Sequence, residues 1–372
     1  MRVIIERSAL LKALGHVTSV VERRNTIPIL ANVLMETGKN VIRLRATDLD
    51  IEVIETVKAE VAAEGRTTVQ AIMFFDIVRK LPEGNQVELA REDDGARLSV
   101  TSGTARFSLQ VLPPDDFPDL SSEEMSHSFA MPARDLRRLI EKSRFAISTE
   151  ETRYYLNGIY LHEADGGKAK FLRAVATDGH RLAQVDVALP KGAGGMPGII
   201  VPRKTVAELH KLVEESDDEI EIGLSASKIR FVIGDVVLTS KLIDGTFPDY
   251  QRVIPQGNDK MLQVSNAQFA SAVDRVSTLS SDKGRAVKLQ IDEGKLTLSV
   301  NNPDSGSATE ELPVEYDNDA IEIGFNARYL LDISHQLESD TARFMLSDPG
   351  SPTMVRDDGD ESALYVLMPM RV

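Results

Sequence analysis

The sequence predicts an α+β fold repeated three times, each repeat carrying two helices and roughly eight strands. Two unrelated tripeptides recur at one offset. Ala46-Thr47-Asp48 returns as Ala176-Thr177-Asp178, and Phe117-Pro118-Asp119 as Phe247-Pro248-Asp249, each 130 residues later. That period exceeds the ~20–50 residues of a solenoid unit and matches a domain. A chain of 372 residues therefore has room for a third copy, although the last third keeps neither tripeptide. In addition, helical and alternating apolar patterns follow one another in the same order in each third.

The first helix of each repeat is read from period-3.6 apolar residues behind a polar start. It is expected at Ser8–Val21 (Leu10, Leu11, Leu14, Val17), at Ala133–Ile147 behind Pro132 (Leu136, Leu139, Ile140), and from Ser265-Asn266 onward (Phe269, Ala272, Val273, Val276). Alternating stretches such as Val41–Ala46 and Lys288–Ile291 read as strands. A second helix is expected at Ala71–Leu81, at Arg203–Val213 behind Pro202, and at Asn326–Leu337. Asp93-Asp94-Gly95 and Asp292-Glu293-Gly294 read as hairpin turns. Pro113–Glu124 and Asp244–Lys260 read as linkers, which gives domains 1–122, 123–256 and 257–372.

Hydrophobic content of 42% and charged content of 27% are those of a globular chain with real cores. No apolar run reaches the ~18–20 residues that span a bilayer. Met1–Arg7 lacks the apolar core of a signal peptide, so a cytoplasmic location is expected. The absence of cysteine excludes disulfides, thiolate catalysis and cysteine zinc sites.

The net charge of −15 argues against a polyanion binder if taken whole. Its distribution argues otherwise. Over the six expected helices, with their flanks to Arg24, Ser148 and Arg285, Lys and Arg exceed Asp and Glu by nine, leaving −24 for the rest. On one helix this would mean only that Lys and Arg are good helix formers on solvated faces. Five basic helices of six in an acidic chain point to a non-specific surface for a polyanion.

Catalytic motifs are absent. Gly192–Gly198 is glycine-rich but fails the GxGxxG spacing and leads into Ile199-Ile200-Val201, a strand, so it reads as a surface loop. The six histidines show no ligand spacing, and Asn302–Gly306 misplaces the glycine and glutamate of a calcium loop. Asp357–Glu361 reads as an acidic turn. His180 sits in Thr177-Asp178-Gly179-His180, where Asp-Gly is a turn signal and the first repeat has Leu49-Asp50. It is read as a turn residue beside a binding surface rather than a general base. The ending Ala363–Val372 is apolar; its first half reads as a buried strand. Met368 and Met370 flank Pro369, which cannot continue a central strand, and methionines make adaptable contact surfaces.

These residues carry a resemblance along the whole chain. Asn25–Leu30, Thr152–Gly158, Ala176–Leu182, Phe247–Tyr250 and Tyr365–Arg371 together resemble the bacterial sliding clamp family, the beta subunit of replicative DNA polymerase III. The resemblance implies three DNA-clamp domains, a head-to-tail homodimer closed as a ring around double-stranded DNA, and no catalytic residue, metal or cofactor. Partners would be the replicative polymerase, the clamp loader and other proteins with clamp-binding peptides. Carried over by motif, the peptide pocket would comprise Arg153, Tyr155, Leu156, Thr177, Gly179, His180, Arg181, Leu182, Pro248, Arg252, Val253, Val366, Leu367, Met368, Pro369, Met370 and Arg371. DNA contacts would fall to Arg24 and Tyr154, supported by the helix residues Arg137, Arg138, Lys142, Arg203 and Lys204. Ring closure would use Arg106, Phe107 and Leu279. Gln251 departs from a commonly basic position, and Pro349, Gly350 and Pro352 alter a loop that borders the pocket in relatives. Two other classes are weighed. An open peptide-binding scaffold fits the basic helices poorly, and an enzyme with acids converging in space finds no recognisable constellation.

Overall fold

The computed structural model describes residues 1–24, 26–91, 95–120, 123–280 and 285–371. The first repeat runs β1 (Arg2–Glu6), α1 (Arg7–Thr18), β2 (Asn32–Gly38), β3 (Val41–Thr47), β4 (Ile51–Lys58), β5 (Glu60–Ala63), β6 (Arg66–Gln70), α2 (Ala71–Lys80), β7 (Gln86–Arg91), β8 (Arg97–Ser102) and β9 (Ala105–Gln110). The second runs β10 (His127–Pro132), α3 (Ala133–Arg144), β11 (Gly158–Asp165), β12 (Lys170–Thr177), β13 (Arg181–Ala188), β14 (Ile199–Pro202), α4 (Arg203–Glu214), β15 (Glu219–Leu224), β16 (Lys228–Ile233) and β17 (Val236–Lys241). The third runs β18 (Lys260–Ser265), α5 (Asn266–Ser277), β19 (Ala286–Asp292), β20 (Lys295–Asn302), β21 (Gly306–Pro313), β22 (Ile321–Asn326), α6 (Ala327–Ser334), β23 (Thr341–Leu346), β24 (Thr353–Asp357) and β25 (Asp360–Leu367). The order is the same three times, with β5 the one addition.

The expected apolar residues are the buried ones. Leu10, Leu14 and Val17 of α1, Leu136, Leu139 and Ile140 of α3, and Phe269, Ala272, Val273 and Val276 of α5 all lie in the core, whereas Leu11 is half-buried. Several helices stop before the periodicity does. Thr18 and Ser19 turn their hydroxyls back onto the carbonyls of Leu14 and His16, each at 2.6 Å, and close α1 there. Asn326 is a cap rather than a helical residue: its side chain accepts from the Arg328 amide at 3.0 Å. The turn at Asp292–Gly294 joins β19 to β20, with Gly294 at φ 69. In the other expected turn, Asp93 and Asp94 lie outside the described residues, while β7 and β8 on either side pair antiparallel.

Each repeat divides its strands into two half-sheets, and neighbouring repeats complete one another. One eight-stranded sheet has the order β10-β15-β16-β17-β4-β3-β2-β6, joined where β17 pairs with β4; Val237 lies opposite Ile54 and Thr239 opposite Glu52. The other has the order β14-β11-β12-β13-β25-β24-β23-β18, joined where β25 pairs with β13. Two half-sheets remain, β5-β1-β7-β8-β9 and β21-β20-β19-β22. The chain accordingly forms two compact units. One comprises Met1–Leu136, Pro190–Ala193 and Lys204–Leu242; the other comprises Arg137–Leu189, Gly194–Arg203 and Ile243–Val372. The middle repeat thus gives one half-sheet to each unit.

The duplicated Ala-Thr-Asp is a duplicated turn. Asp48 Oδ1 accepts from the amides of Asp50 and Ile51 at 2.9 and 2.8 Å, and Asp178 Oδ1 from those of His180 and Arg181 at 2.9 and 3.0 Å. Thr47 and Thr177 both donate to the carbonyl four residues on and accept the amide two residues on. The third turn position is left-handed in both copies, Leu49 at φ 81 and Gly179 at φ 88. The tripeptide survives because it holds that turn.

Tyr365 of β25 is fully buried, and its hydroxyl has no hydrogen-bond partner among the described residues. Burial raises its pKa well above the ordinary phenol range. Replacing Tyr365 by Phe removes an unsatisfied polar atom while keeping the ring, so unfolding free energy should hold or rise by up to about 1 kcal/mol. A clear loss in denaturant titration would contradict that packing.

Candidate functional site

A cavity of about 300 Å³ opens in the unit that holds β11–β14 and β18–β25. Four segments supply its lining. Arg153, Tyr155 and Leu156 come from the 3-10 segment Glu151–Leu156; Thr177, Gly179, Arg181 and Leu182 come from the duplicated turn. Pro248, Asp249, Tyr250 and Val253 come from the second linker, which forms a 3-10 turn over Tyr250–Val253. Val366 and Met368 come from β25 and the tail. Beneath lies a core of Leu156, Val175, Leu182, Ile200, Phe247, Tyr250, Leu364 and Val366.

The strand register explains which tail residues arrive. Leu182 lies opposite Val366 and Arg181 opposite Leu367, and the Met368 amide donates to the His180 carbonyl at 2.9 Å. Strand alternation sends Val366 and Met368 to the cavity and Leu367 away from it. Beyond Pro369, the Met370 amide donates to the Gly324 carbonyl at 2.8 Å. His180, Arg252, Leu367, Pro369, Met370 and Arg371 stand outside the lining. His180 stacks on Tyr329, and Arg252 pairs with Asp249 at 2.7 Å. Asp249 and Tyr250 line the cavity although the sequence reading did not place them there. The signal for Asp249 was the recurrence of Phe-Pro-Asp; Tyr250 follows it, where the first repeat has Leu120.

Arg181 organises the turn. It donates through Nη1 to Asp332 at 2.5 Å, through Nε to Asp178 at 3.2 Å and through Nη2 to the Phe145 carbonyl at 2.6 Å. Its guanidinium also lies 4.3 Å from the Tyr329 ring centroid. Gly179 leaves room for Arg153: a Cβ there would stand 2.6 Å from Arg153 Nη1 and displace the guanidinium, whereas the first repeat carries Leu49 at the same left-handed position. Arg153 crosses Gly179 to reach the Asp178 carbonyl at 2.9 Å and is also anchored by Glu150.

The first repeat has the same turn and its own Phe117, yet its equivalent position is polar and filled. Where the second repeat has Val175 and Leu182, the first has Arg45 and Glu52. Arg45 Nε lies 2.7 Å from Glu52 and the same guanidinium reaches Asp119. Glu52 is fully buried, and burial raises its pKa despite Arg45. At these two strand positions the first repeat carries a buried ion pair where the second is apolar.

The helical charge is reduced by the observed helix bounds: α1 to α6 carry +2, +1, +3, +1, 0 and 0. Arg23 and Arg24 lie beyond α1, and Arg285 lies beyond α5. Arg24, Tyr154 and Arg203 are exposed, and Arg137 is half-buried. Three other expected polyanion contacts are engaged within the protein. Lys142 is buried, with its ammonium on Glu338 at 2.5 Å and on the Gln336 carbonyl. Arg138 holds Asp360 and donates to the Ser362 hydroxyl at 2.8 Å. Lys204 holds Asp48 at 2.6 Å and Glu22. Arg106 and Phe107 lie on β9, an unpaired sheet edge, and Leu279 follows α5.

Fold and site together describe a binding protein of repeated domains, with an apolar pocket and with β9 and β21 as unpaired counterparts of strands that are paired elsewhere in the chain. The family models for the N-terminal, central and C-terminal domains of the DNA polymerase III beta subunit match residues 1–121, 130–249 and 251–371. The chain belongs to the DNA polymerase III beta subunit family. It is 52% identical to the beta sliding clamp of Caulobacter vibrioides and 40% identical to that of Escherichia coli K12, with both chains covered completely in each case. Among solved structures it resembles the sliding clamp of Bartonella birtlesii bound to griselimycin, at 54% identity and a TM-score of 0.97 over the whole of both chains. It also resembles the Caulobacter crescentus clamp, at 52% identity and a TM-score of 0.98, covering all of this chain and 99% of that one.

Arg181 gives a direct test of how the site is held. Arg181→Met would leave Asp178 and Asp332 facing each other without their cation and should cost about 2–3 kcal/mol in denaturant titration. Arg181→Lys, with one point charge for three acceptors, should fall between. An unchanged midpoint for Arg181→Met would contradict its role as the hub.

Proposed function

We propose that the chain is a non-enzymatic processivity clamp: two copies join head to tail, encircle duplex DNA, and hold replicative polymerase and other partners by short apolar peptides. The observation that carries this reading is the equivalence of the half-sheets. By order within each repeat, β9, β17 and β25 are counterparts, and so are β4, β13 and β21. β17 pairs with β4, and β25 pairs with β13. The remaining counterparts, β9 and β21, are edges in the same chain. A second copy supplies the missing partner for each, and two such junctions close a ring in which every β9 and β21 is paired. Phe107, exposed on β9, and Arg106 beside it are the proposed closing contacts, with Leu279 on the other side.

The domains proposed are 1–122, 123–256 and 257–372, giving a ring of six. Arg24, Tyr154 and Arg203 are the proposed DNA contacts, loose enough to slide. Arg138, Lys142 and Lys204 serve instead to fix the scaffold on which they sit. No helix among the described residues is long and apolar enough to cross a membrane, and the proposed place of action is the cytoplasm. The cavity beside Leu182, Val366 and Met368 is the proposed peptide site, with Arg153 as a polar group in its lining.

Two outcomes are expected. A closed ring should stay on circular DNA in high salt and leave once the circle is cut, whereas plain DNA affinity should be weak and salt-sensitive. Equal loss from circular and linear DNA would contradict topological retention. Deleting residues 368–372 should abolish griselimycin binding, measured by calorimetry, and leave the dimer mass unchanged in sedimentation. Retained binding would contradict the pocket assignment.

A further inference from the structure

The pocket wall formed by Pro248, Asp249 and Val253 is exposed, and it is seated by one buried side chain, Tyr250. The Tyr250 hydroxyl lies 3.0 Å from His162 Nε2 on β11 and 3.3 Å from Arg173 Nη1 on β12. We propose that His162 is a positioning residue for peptide capture: by accepting the Tyr250 hydroxyl proton it seats this wall, so that capture depends on one imidazole being neutral. The proposal rests on the reading of the cavity as the peptide site.

The hydrogen-bond roles follow from the chemistry of the partners. His162 Nδ1 lies 2.7 Å from the Glu163 carbonyl, which can only accept, so Nδ1 carries the hydrogen. A neutral ring then leaves Nε2 as an acceptor. Arg173 can only donate, so it donates to the phenol oxygen, and the phenol donates to Nε2. Arg173 is itself held by Asp186 through two bonds of 2.7 Å. The Tyr160 ring stacks on His162 at 4.6 Å and on Phe247 at 4.8 Å, packing the same assembly from the side.

The anchor belongs to the repeat that has the pocket. Arg173 lies opposite His162 and Asp186 across its two neighbouring strands. Its counterpart Arg43 lies opposite Glu36 and Thr56, and the residue after Phe117-Pro118-Asp119 is Leu120, which has no hydroxyl.

Protonating His162 would turn an Nε2 hydrogen toward a phenol that already receives one from Arg173, strand the phenol hydrogen and bring two cations together. The other charged groups here are Asp186, and Glu163, whose carboxylate is taken by Lys170 and by the Gly195 amide. Burial, then the charge of Arg173, hold His162 below the ordinary imidazole value of 6.5, against the Glu163 carbonyl and Asp186. A depressed folded value means that the neutral, seated form prevails above that range and is lost as pH falls below it.

The test measures griselimycin affinity at about pH 7.5 and about pH 5.5. The same ligand throughout cancels its own titration. Wild type should weaken on acidification by less than about tenfold, because the imidazole titrates below its ordinary value. His162→Gln, whose amide oxygen accepts without titrating, should bind with the same affinity at both pH values. Tyr250→Phe should bind more weakly at both pH values, and adding His162→Gln to it should change nothing further. A wild-type acid response in His162→Gln or in Tyr250→Phe would overturn the assignment. Absence of wild-type binding at the higher pH would instead overturn the pocket reading on which it rests.

Discussion

The structure depends on one constraint: a half-sheet cannot end in an unpaired edge without exposing a row of backbone donors and acceptors. Each repeat makes two half-sheets, and the last strand of each (β4, β9, β13, β17, β21 or β25) is an edge that a neighbouring repeat can cover. Within the chain this is resolved twice, where β17 meets β4 and β25 meets β13. The compact units follow from it, since each is built around one completed eight-stranded sheet and shares the middle repeat with the other. The same constraint reaches the function, because β9 and β21 repeat the problem at the two ends of the count, and a second copy solves it.

The pocket is a by-product of that pairing. β25 is drawn against β13 by the sheet, and the register delivers Val366 and Met368 beside Leu182 and the turn at Asp178. The matching place in the first repeat meets β17 against β4 in the same way, but Arg45, Glu52 and Asp119 fill it with charge. Shared architecture places the same turn in both repeats, and only in the second are the strand positions beside it apolar.

Much of this was legible in the sequence, for identifiable reasons. The 130-residue offset marks a turn whose hydrogen bonds need Thr and Asp, so the tripeptide persisted where the residues around it diverged. Helix positions followed from periodicity, but their ends did not, because Thr18, Ser19 and Asn326 act through side-chain bonds that periodicity does not register. Arg23, Arg24 and Arg285 fall outside the helices for the same reason, which lowers the helical charge. Nor could a charge count show that Lys142, Arg138 and Lys204 are spent on carboxylates distant in sequence. Tyr250 was hidden for a similar reason: its partners come from two strands some 80 residues upstream, separations of 88 and 77 residues.

The central claim is that β9 of one copy pairs with β21 of the other at both junctions. The chain has no native cysteine, so one cysteine placed in β9 and one facing it in β21 can be oxidised without competing thiols. The account predicts a covalent dimer with both junctions linked, which resists denaturant and stays trapped on circular DNA. Covalent products that grow into open chains, or no product while the variant remains folded, would contradict it.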